Sequence, residues 1–182
     1  MGGGYTAAAR AARYRAGQFW RYLRLAPLSA ADQAEVRREL PPALYGLFER
    51  MAPGEQAHSL TVLRAVMRAL PAAPPALRQA ALLHDVGKRR APLTLFDRVL
   101  VVAVKTLWPT RAAAWGQGLP TGLRRPFVTA AQHPAWGAEL AAQAGAPPLT
   151  VALIRRHQTP VTAPQTPEDE WLAVLQAADD DA

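Results

Sequence analysis

The chain has 182 residues, with 21 Lys and Arg against 14 Asp and Glu, and therefore a formal net charge of +7. Half of the residues are hydrophobic and only 19% are charged, which is too apolar for a disordered chain and sufficient for one folded domain. No cysteine is present, which excludes disulfides, thiolate metal sites and a cysteine nucleophile. The longest uncharged stretch, 140–154, contains two prolines and is too short to span a membrane. No signal peptide is recognised, so we expect a cytoplasmic protein.

The sequence predicts an all-α fold, in which a single helical bundle domain over 51–182 follows an N-terminal helical extension over 1–50. Alanine is abundant, β-branched runs are scarce, and the prolines fall mostly between apolar-periodic stretches, where they mark helix ends. The first predicted helix covers 5–24 and carries five arginines and no acid. Further helices are predicted over 29–40, 41–51, 55–70, 74–87, 93–108, 133–144, 147–157 and 168–180.

Two of these boundaries depend on single residues. Gly87 is expected to stop the helix that begins at Pro74-Pro75. His133-Pro134 is expected to open a helix, with the proline at its first position. Between them lies an irregular insertion at about 89–130, whose apolar helix over 93–108 can pack on the helical core.

The histidines carry the strongest chemical signal in the sequence. The chain has only four, His58, His84, His133 and His157, and each lies on a predicted helix or at its start. Three of them interrupt apolar stripes, where a buried imidazole needs a polar partner. Asp85 directly follows His84 and supplies the anionic charge that a bound cation needs. Taken singly, each histidine would be an ordinary core or cap residue; taken together, they predict a metal site.

This ordered set resembles the HD-domain superfamily of metal-dependent phosphohydrolases. The resemblance covers about 51–181 and rests on His58, on the string 82–88 with its adjacent histidine and aspartate, and on the segments around His133 and His157. The last two histidines are similar to the binuclear branch. That branch includes the HD-GYP cyclic dinucleotide phosphodiesterases and the HD-type dinucleoside polyphosphate hydrolases.

The last element of the pattern is an aspartate near the C-terminal end. On the final predicted helix, Leu172, Leu175 and Asp179 share one stripe, so that Asp179 points inward. The superfamily's pattern also ends in two small residues and an aspartate, which assigns the ligand role to Asp179. Asp180 is the alternative.

The resemblance implies two divalent ions, with Fe or Mn expected and Mg, Ni or Zn as alternatives. One ion would be held by His58, His84, Asp85 and Asp179, and the other by Asp85, His133 and His157. Asp85 and a water or hydroxide would bridge the pair and activate the water for direct attack. Lys88 would assist catalysis as a phosphate contact, or it is simply an exposed lysine favoured by the helix end.

By the same resemblance, the substrate would be a phosphate ester or anhydride of a small molecule, with a nucleotide preferred. The Gly-Tyr-Pro element is missing, so cyclic di-GMP is not the expected substrate. The alternative function is a regulatory or nucleic-acid-binding module that keeps the fold with little or no turnover. The sequence predicts no oligomeric state.

Basic residues are concentrated between 88 and 125, where eight stand against one acid, Asp97. Arg89 lies at one end of the insertion, and Arg124 and Arg125 lie at the other. We expect these guanidinium groups to hold phosphate oxygens and the insertion to act as a lid that selects a polyanionic substrate. The alternatives are nucleic acid, an anionic membrane surface, or an ordinary solvated face.

Overall fold

The computed structural model describes residues 27–182, and over this part of the chain the all-α prediction is confirmed: it contains nine α-helices and no β-strand. The helices are α1 (Ala30–Glu39), α2 (Pro42–Glu49), α3 (Pro53–Ala69), α4 (Pro75–Leu83), α5 (Leu95–Leu107), α6 (Pro109–Trp115), α7 (Arg125–Gln143), α8 (Pro148–Arg156) and α9 (Pro167–Asp181). Two short 3-10 helices, Val86–Arg90 and Gly122–Arg124, follow α4 and precede α7. The helix predicted over 5–24 lies outside the described residues.

The helix starts follow simple local chemistry. Six of the nine described helices begin at a proline, at Pro42, Pro53, Pro75, Pro109, Pro148 and Pro167. Proline is favoured there because its fixed φ suits a helix and its missing N–H would have had no partner. The other frequent start is a hydroxyl cap: Ser29, Thr94 and Thr166 each accept a hydrogen bond from the backbone N–H three residues further on.

The expected helix start at His133-Pro134 is wrong. Pro134 lies in the interior of α7, which begins nine residues earlier, at Arg125, and has Pro126 in its first turn. The first turn of this helix, where proline is favoured, therefore contains Pro126 and not Pro134. An internal proline costs one backbone hydrogen bond, and the burial of Pro134 in the core offsets part of that cost.

The main core lies between α1, α2, α3, α4, α7, α8 and α9. Its fully buried side chains include Val36, Leu44, Leu63, Leu77, Leu82, Leu153, Ile154, Leu172 and Leu175. Residues 27–50, the described part of the predicted extension, contribute α1 and α2 to this core. The core surrounds the polar side chains of the candidate site, which lie at the ends of α4 and α8 and on α3, α7 and α9.

The insertion forms a smaller unit beside this core. Val101 and Val104 of α5 pack with Ala112 of α6 and with Phe127 and Ala130 of α7. The short helix α6 was not expected from the sequence, whose alanine-rich stretch lacks clear periodicity. Among the helices of residues 27–182, none combines the length and the hydropathy that a bilayer-spanning segment requires.

Two ion pairs tie the insertion to its surroundings. An Nη of Arg98 on α5 lies 2.9 Å from Oε1 of Glu55, which is buried on α3. Arg125 at the start of α7 lies 2.6 Å from Oδ2 of Asp97, the residue that also caps the start of α5. Both carboxylates are largely removed from water, so each pair is more than a solvated surface contact.

The chain after α4 differs from the sequence-based expectation. The helix ends at Leu83 rather than at Gly87, and a 3-10 turn continues through Gly87 to Arg90. Gly87 packs closely against α7, and a Cβ atom at this position would lie 2.0 Å from the carbonyl oxygen of His133. A residue with a side chain would push the turn away from α7.

Candidate metal centre

Three imidazoles of the site are oriented by carbonyl groups of their own helices. Nδ1–H of His84 donates to the carbonyl of Ala81 at 3.0 Å, and that of His157 donates to Ile154 at 2.8 Å. Nδ1–H of His133 donates to the carbonyl of Thr129 at 3.0 Å. In a neutral imidazole this arrangement leaves the lone pair on Nε2, the form that binds metals.

The first group consists of His58, His84 and Asp179, which come from α3, the end of α4 and α9. Nε2 of His58 lies 2.8 Å from Oδ1 of Asp179, and Nε2 of His84 lies 3.4 Å from the same oxygen. The stripe that pointed Asp179 inward is present, since Leu172 and Leu175 are fully buried on the same helix. The neighbouring Asp180 is exposed.

The second group consists of Asp85, His133 and His157. Nε2 of His133 lies 3.3 Å from Oδ1 of Asp85 and 3.3 Å from Nε2 of His157. All three side chains are buried. Each of the two groups, found among residues 27–182, has one potential ligand atom per residue, and these atoms lie within 4.8 Å of one another.

Asp85 stands between the two groups. Its Oδ1 faces His133, while its Oδ2 lies 3.6 Å from Nε2 of His84. The ammonium of Lys88, one turn further along the chain, lies 2.5 Å from the same Oδ2. The sequence singled out Lys88 as a phosphate contact, and the structure places it directly on this carboxylate with a side chain that is 13% exposed.

Neighbouring charges keep both carboxylates ionised. Burial alone would raise the pKa of Asp85, but Lys88, His84 and His133 outweigh it and hold the pKa well below its usual 3.8. Burial also opposes ionisation of Asp179, and the charge of His84 with the hydrogen bond from His58 lowers its pKa nevertheless. The site therefore holds two negative charges at neutral pH.

The imidazoles divide into two kinds. Burial lowers the pKa of His133, and burial together with His84 and His133 lowers the pKa of His157 to about 3. Burial would also lower the pKa of His84, but the carboxylates of Asp85 and Asp179 outweigh it and raise the pKa to about 9. His133 and His157 are thus neutral and ready to bind a cation, whereas His84 takes up a proton between the two carboxylates.

The donor set fits a divalent cation. Nε2 of His84 is fully buried and has no hydrogen-bond partner among the described residues, although carboxylate oxygens surround it. Without a metal, a proton on this nitrogen is held only by carboxylate oxygens at long distances, and a cation shared with the carboxylates would bind all of these groups. The buried histidine and aspartate groups can therefore hold a metal ion.

The arginines of the insertion differ from one another in their exposure and in their contacts. Arg125 is engaged by Asp97 and by the carbonyl of Pro92, at 2.6 and 2.9 Å. Arg124 is exposed and Arg89 is half-buried. Arg90 pairs with Glu139 at 2.9 Å and lies over the ring of Trp136. Their role as substrate ligands stays a prediction, and for Arg125 a structural role is visible.

Sequence reasoning missed the groups that orient the ligands. The acceptors for the three Nδ1 protons are backbone carbonyls, and every residue has one, so no sequence signal marks them. Gly87 and Gly137 were visible as letters, but their contact joins α7 to the turn after α4 across a long stretch of chain.

Comparisons of the chain with protein-family models, with curated proteins and with solved structures find no match. The chemistry of the site is therefore the basis for any functional conclusion.

Proposed function

We propose that the protein is a metal-dependent phosphohydrolase that uses two divalent ions, as the resemblance to the HD-domain superfamily implies. The observation that carries the proposal is the position of Asp85. Its two oxygens face different groups, Oδ1 towards His133 and Oδ2 towards His84, at 3.3 and 3.6 Å. A carboxylate placed in this way suits a ligand shared by two ions.

The candidate ligands fall into two sets that share Asp85. His58, His84 and Asp179 would hold one ion, His133 and His157 the other, and Asp85 both. When bound, the ions supply Lewis-acid activation of a water molecule and neutralise charge on a phosphoryl group. Imidazole and carboxylate ligands without thiolates fit Fe or Mn, with Mg, Ni or Zn as alternatives.

Lys88 places a positive charge next to Asp85. Its ammonium lies against Asp85 and its side chain is partly accessible, so an incoming phosphate would meet a positive charge beside the shared carboxylate. The buried imidazoles around it keep their orientation through backbone hydrogen bonds and need no rearrangement on binding. A small phosphorylated molecule, and first of all a nucleotide, is the proposed substrate.

Two neighbouring aspartates on α9 give a matched test of the metal site. Asp179→Asn removes a group in contact with His58 and His84, whereas Asp180→Asn makes the same chemical change one residue away at an exposed position. After reconstitution, we expect about two ions per chain in the wild type and in Asp180→Asn. Elemental analysis should show a clear loss in Asp179→Asn. Less than about half an ion per wild-type chain would refute the metal site.

Activity is tested separately on metal-loaded protein. Release of inorganic phosphate from a panel of nucleotides and phosphate esters should fall by more than about 100-fold in Asp179→Asn and stay near wild type in Asp180→Asn. Protein that carries metal but hydrolyses nothing in the panel would overturn the enzyme proposal. That result would favour the regulatory or nucleic-acid-binding module.

A further inference from the structure

Helix α5 is apolar on both sides, and within residues 27–182 only one side is covered. Val101 and Val104 pack into the small cluster with α6 and α7. The other side is exposed, with Phe96 at 74% of its full accessible surface. At 100° per residue the exposed members span an arc of about 140°. They are Leu95, Phe96, Val99, Val102 and Leu107.

We call these five residues, together with Trp108, the α5 face. Trp108 ends the helix and is 55% exposed. Single exposed hydrophobic residues are ordinary on protein surfaces, but a continuous helical stripe with an aromatic residue near each end is not. Water contact with this stripe is unfavourable, so the α5 face favours a partner that can bury it.

The exposed charges of the segment that carries the α5 face are all of one sign. Within 92–124 the exposed charged residues are Lys105, Arg111 and Arg124. The only acid in this segment, Asp97, is buried and pairs with Arg125. An apolar stripe with Phe and Trp, in a segment whose exposed charges are all basic, is complementary to a surface with an apolar interior and negatively charged headgroups.

A second copy of the chain and a nucleic acid are both less suitable partners for the α5 face. In a symmetric dimer, the α5 face of one copy would meet the same face of the other, and the segment 92–124 offers no exposed acid to pair with Lys105 or Arg111 of the second copy. Nucleic acid would satisfy the basic residues. It would, however, leave the four aliphatic side chains of the α5 face against phosphates and sugars that they cannot bind.

We propose that the α5 face docks the protein on the surface of an anionic lipid bilayer. The apolar side chains of α5 enter the headgroup region and Trp108 lies at the boundary with water. Lys105 and Arg111 lie over acidic headgroups. This inference does not depend on the proposed phosphohydrolase activity, because it rests on a different surface and is measured as binding.

The test is co-sedimentation of the full chain with vesicles of phosphatidylcholine that contain about 30% phosphatidylglycerol, and with pure phosphatidylcholine vesicles. One variant combines Phe96→Gln with Val99→Gln, which changes exposed positions to a good helix former. The matched control is Met67→Gln, which changes a 39%-exposed apolar residue on α3. Lys105→Gln tests the charge. Far-UV circular dichroism and the denaturation midpoint verify that each variant is folded.

We expect the wild type to bind the anionic vesicles and to release them at high salt. The double variant should lose about tenfold or more in partitioning, and Lys105→Gln about fivefold. Met67→Gln should stay within about twofold of the wild type.

Three results would overturn the proposal. Equal binding of wild type and double variant would assign the affinity to another surface, such as the arginines before residue 27. Absence of binding, or equal binding to pure phosphatidylcholine, would remove the anionic bilayer as the partner. Loss of self-association or of RNA affinity in the double variant, with vesicle binding unchanged, would assign the α5 face to a second copy or to nucleic acid.

Discussion

Gly87 and His133 meet backbone to backbone. A Cβ atom on Gly87 would lie 2.0 Å from the carbonyl oxygen of His133 and 2.6 Å from the backbone nitrogen of Gly137. No side-chain rotation can relieve such contacts, because both partners belong to the main chain of α7. The turn that follows Asp85 is therefore seated directly on the helix that carries His133, and this contact sets the spacing between two ligands of the second group.

Replacing Gly87 by Ala should destabilise the protein by about 2–4 kcal/mol, since the turn must move away from α7. Gly46→Ala is the matched control: it lies within α2, and apart from its chain neighbours and the backbone of its own helix, no atom of residues 27–182 lies within 4 Å of its ideal Cβ position. That change should stabilise the helix by about 0.5–1 kcal/mol. Urea denaturation gives both free energies of unfolding. Equal effects of the two substitutions would contradict the backbone contact.

Metal binding should release a proton from His84. Asp85 and Asp179 raise the pKa of this imidazole to about 9 against the opposing effect of burial, so that the metal-free site is protonated at neutral pH. A cation that binds Nε2 must displace that proton. Titration calorimetry at pH 7 in buffers of different ionisation enthalpy should report about one proton per chain, and fewer above pH 9. Heats that are independent of the buffer would contradict this prediction.

Asp97 should contribute a pH-dependent part of the free energy of unfolding. Burial alone would raise its pKa, but hydrogen bonds from Thr94 and the charge of Arg125 lower it below 3.8. A lowered folded-state pKa means that the stabilisation is complete above 3.8 and is lost as the pH falls through the folded value. Asp97→Asn should cost about 1 kcal/mol or more at pH 7. The difference in free energy of unfolding between variant and wild type should become smaller as the pH is lowered, which chemical denaturation at several pH values measures. A difference that does not change with pH would contradict stabilisation by the ionised carboxylate.

Arg124 and Arg125 should behave differently although they are adjacent. Arg125→Gln leaves the buried Asp97 without its guanidinium, so it should lower stability whatever the substrate. Arg124→Gln changes an exposed residue and should leave the free energy of unfolding within about 0.5 kcal/mol. If Arg124 holds phosphate, its loss should raise KM for a nucleoside triphosphate about twofold to fivefold more than for para-nitrophenyl phosphate. Equal changes on both substrates would reject the selective lid.

The helix pattern was largely predictable because its signals are local. Proline before an apolar-periodic stretch predicted the starts of α2, α4 and α8, and the hydroxyl of Ser29 predicted the start of α1. Helix α3 was predicted from residue 55 and begins two residues earlier, at Pro53. The same signal failed at Pro134. A proline at a first turn and a proline inside a helix look alike in sequence, and the difference is made by an earlier start at Arg125 and by burial against the core.

The candidate site was predictable in composition but not in orientation. Three of the histidines could be selected because imidazoles on apolar stripes need partners, and the resemblance to the HD-domain superfamily added His133, Asp85 and Asp179 to the set. How the rings turn depends on carbonyls of Ala81, Thr129 and Ile154, which carry no sequence signal. The exposed side of α5 was missed for a related reason: an apolar helix was expected to be covered, and only tertiary packing decides which side is.

His84 and His157 directly follow the last residues of α4 and α8 as their C-caps, and each donates a hydrogen bond to the carbonyl three residues earlier. Turning either imidazole out of the site would break that bond and leave a buried carbonyl without a partner. If an ion is held there, its release by movement of either imidazole would require breaking a buried hydrogen bond at a helix end as well as rotating the side chain. Ion exchange should then take place on the timescale of local unfolding, microseconds or longer, and not on the nanosecond scale of free side chains.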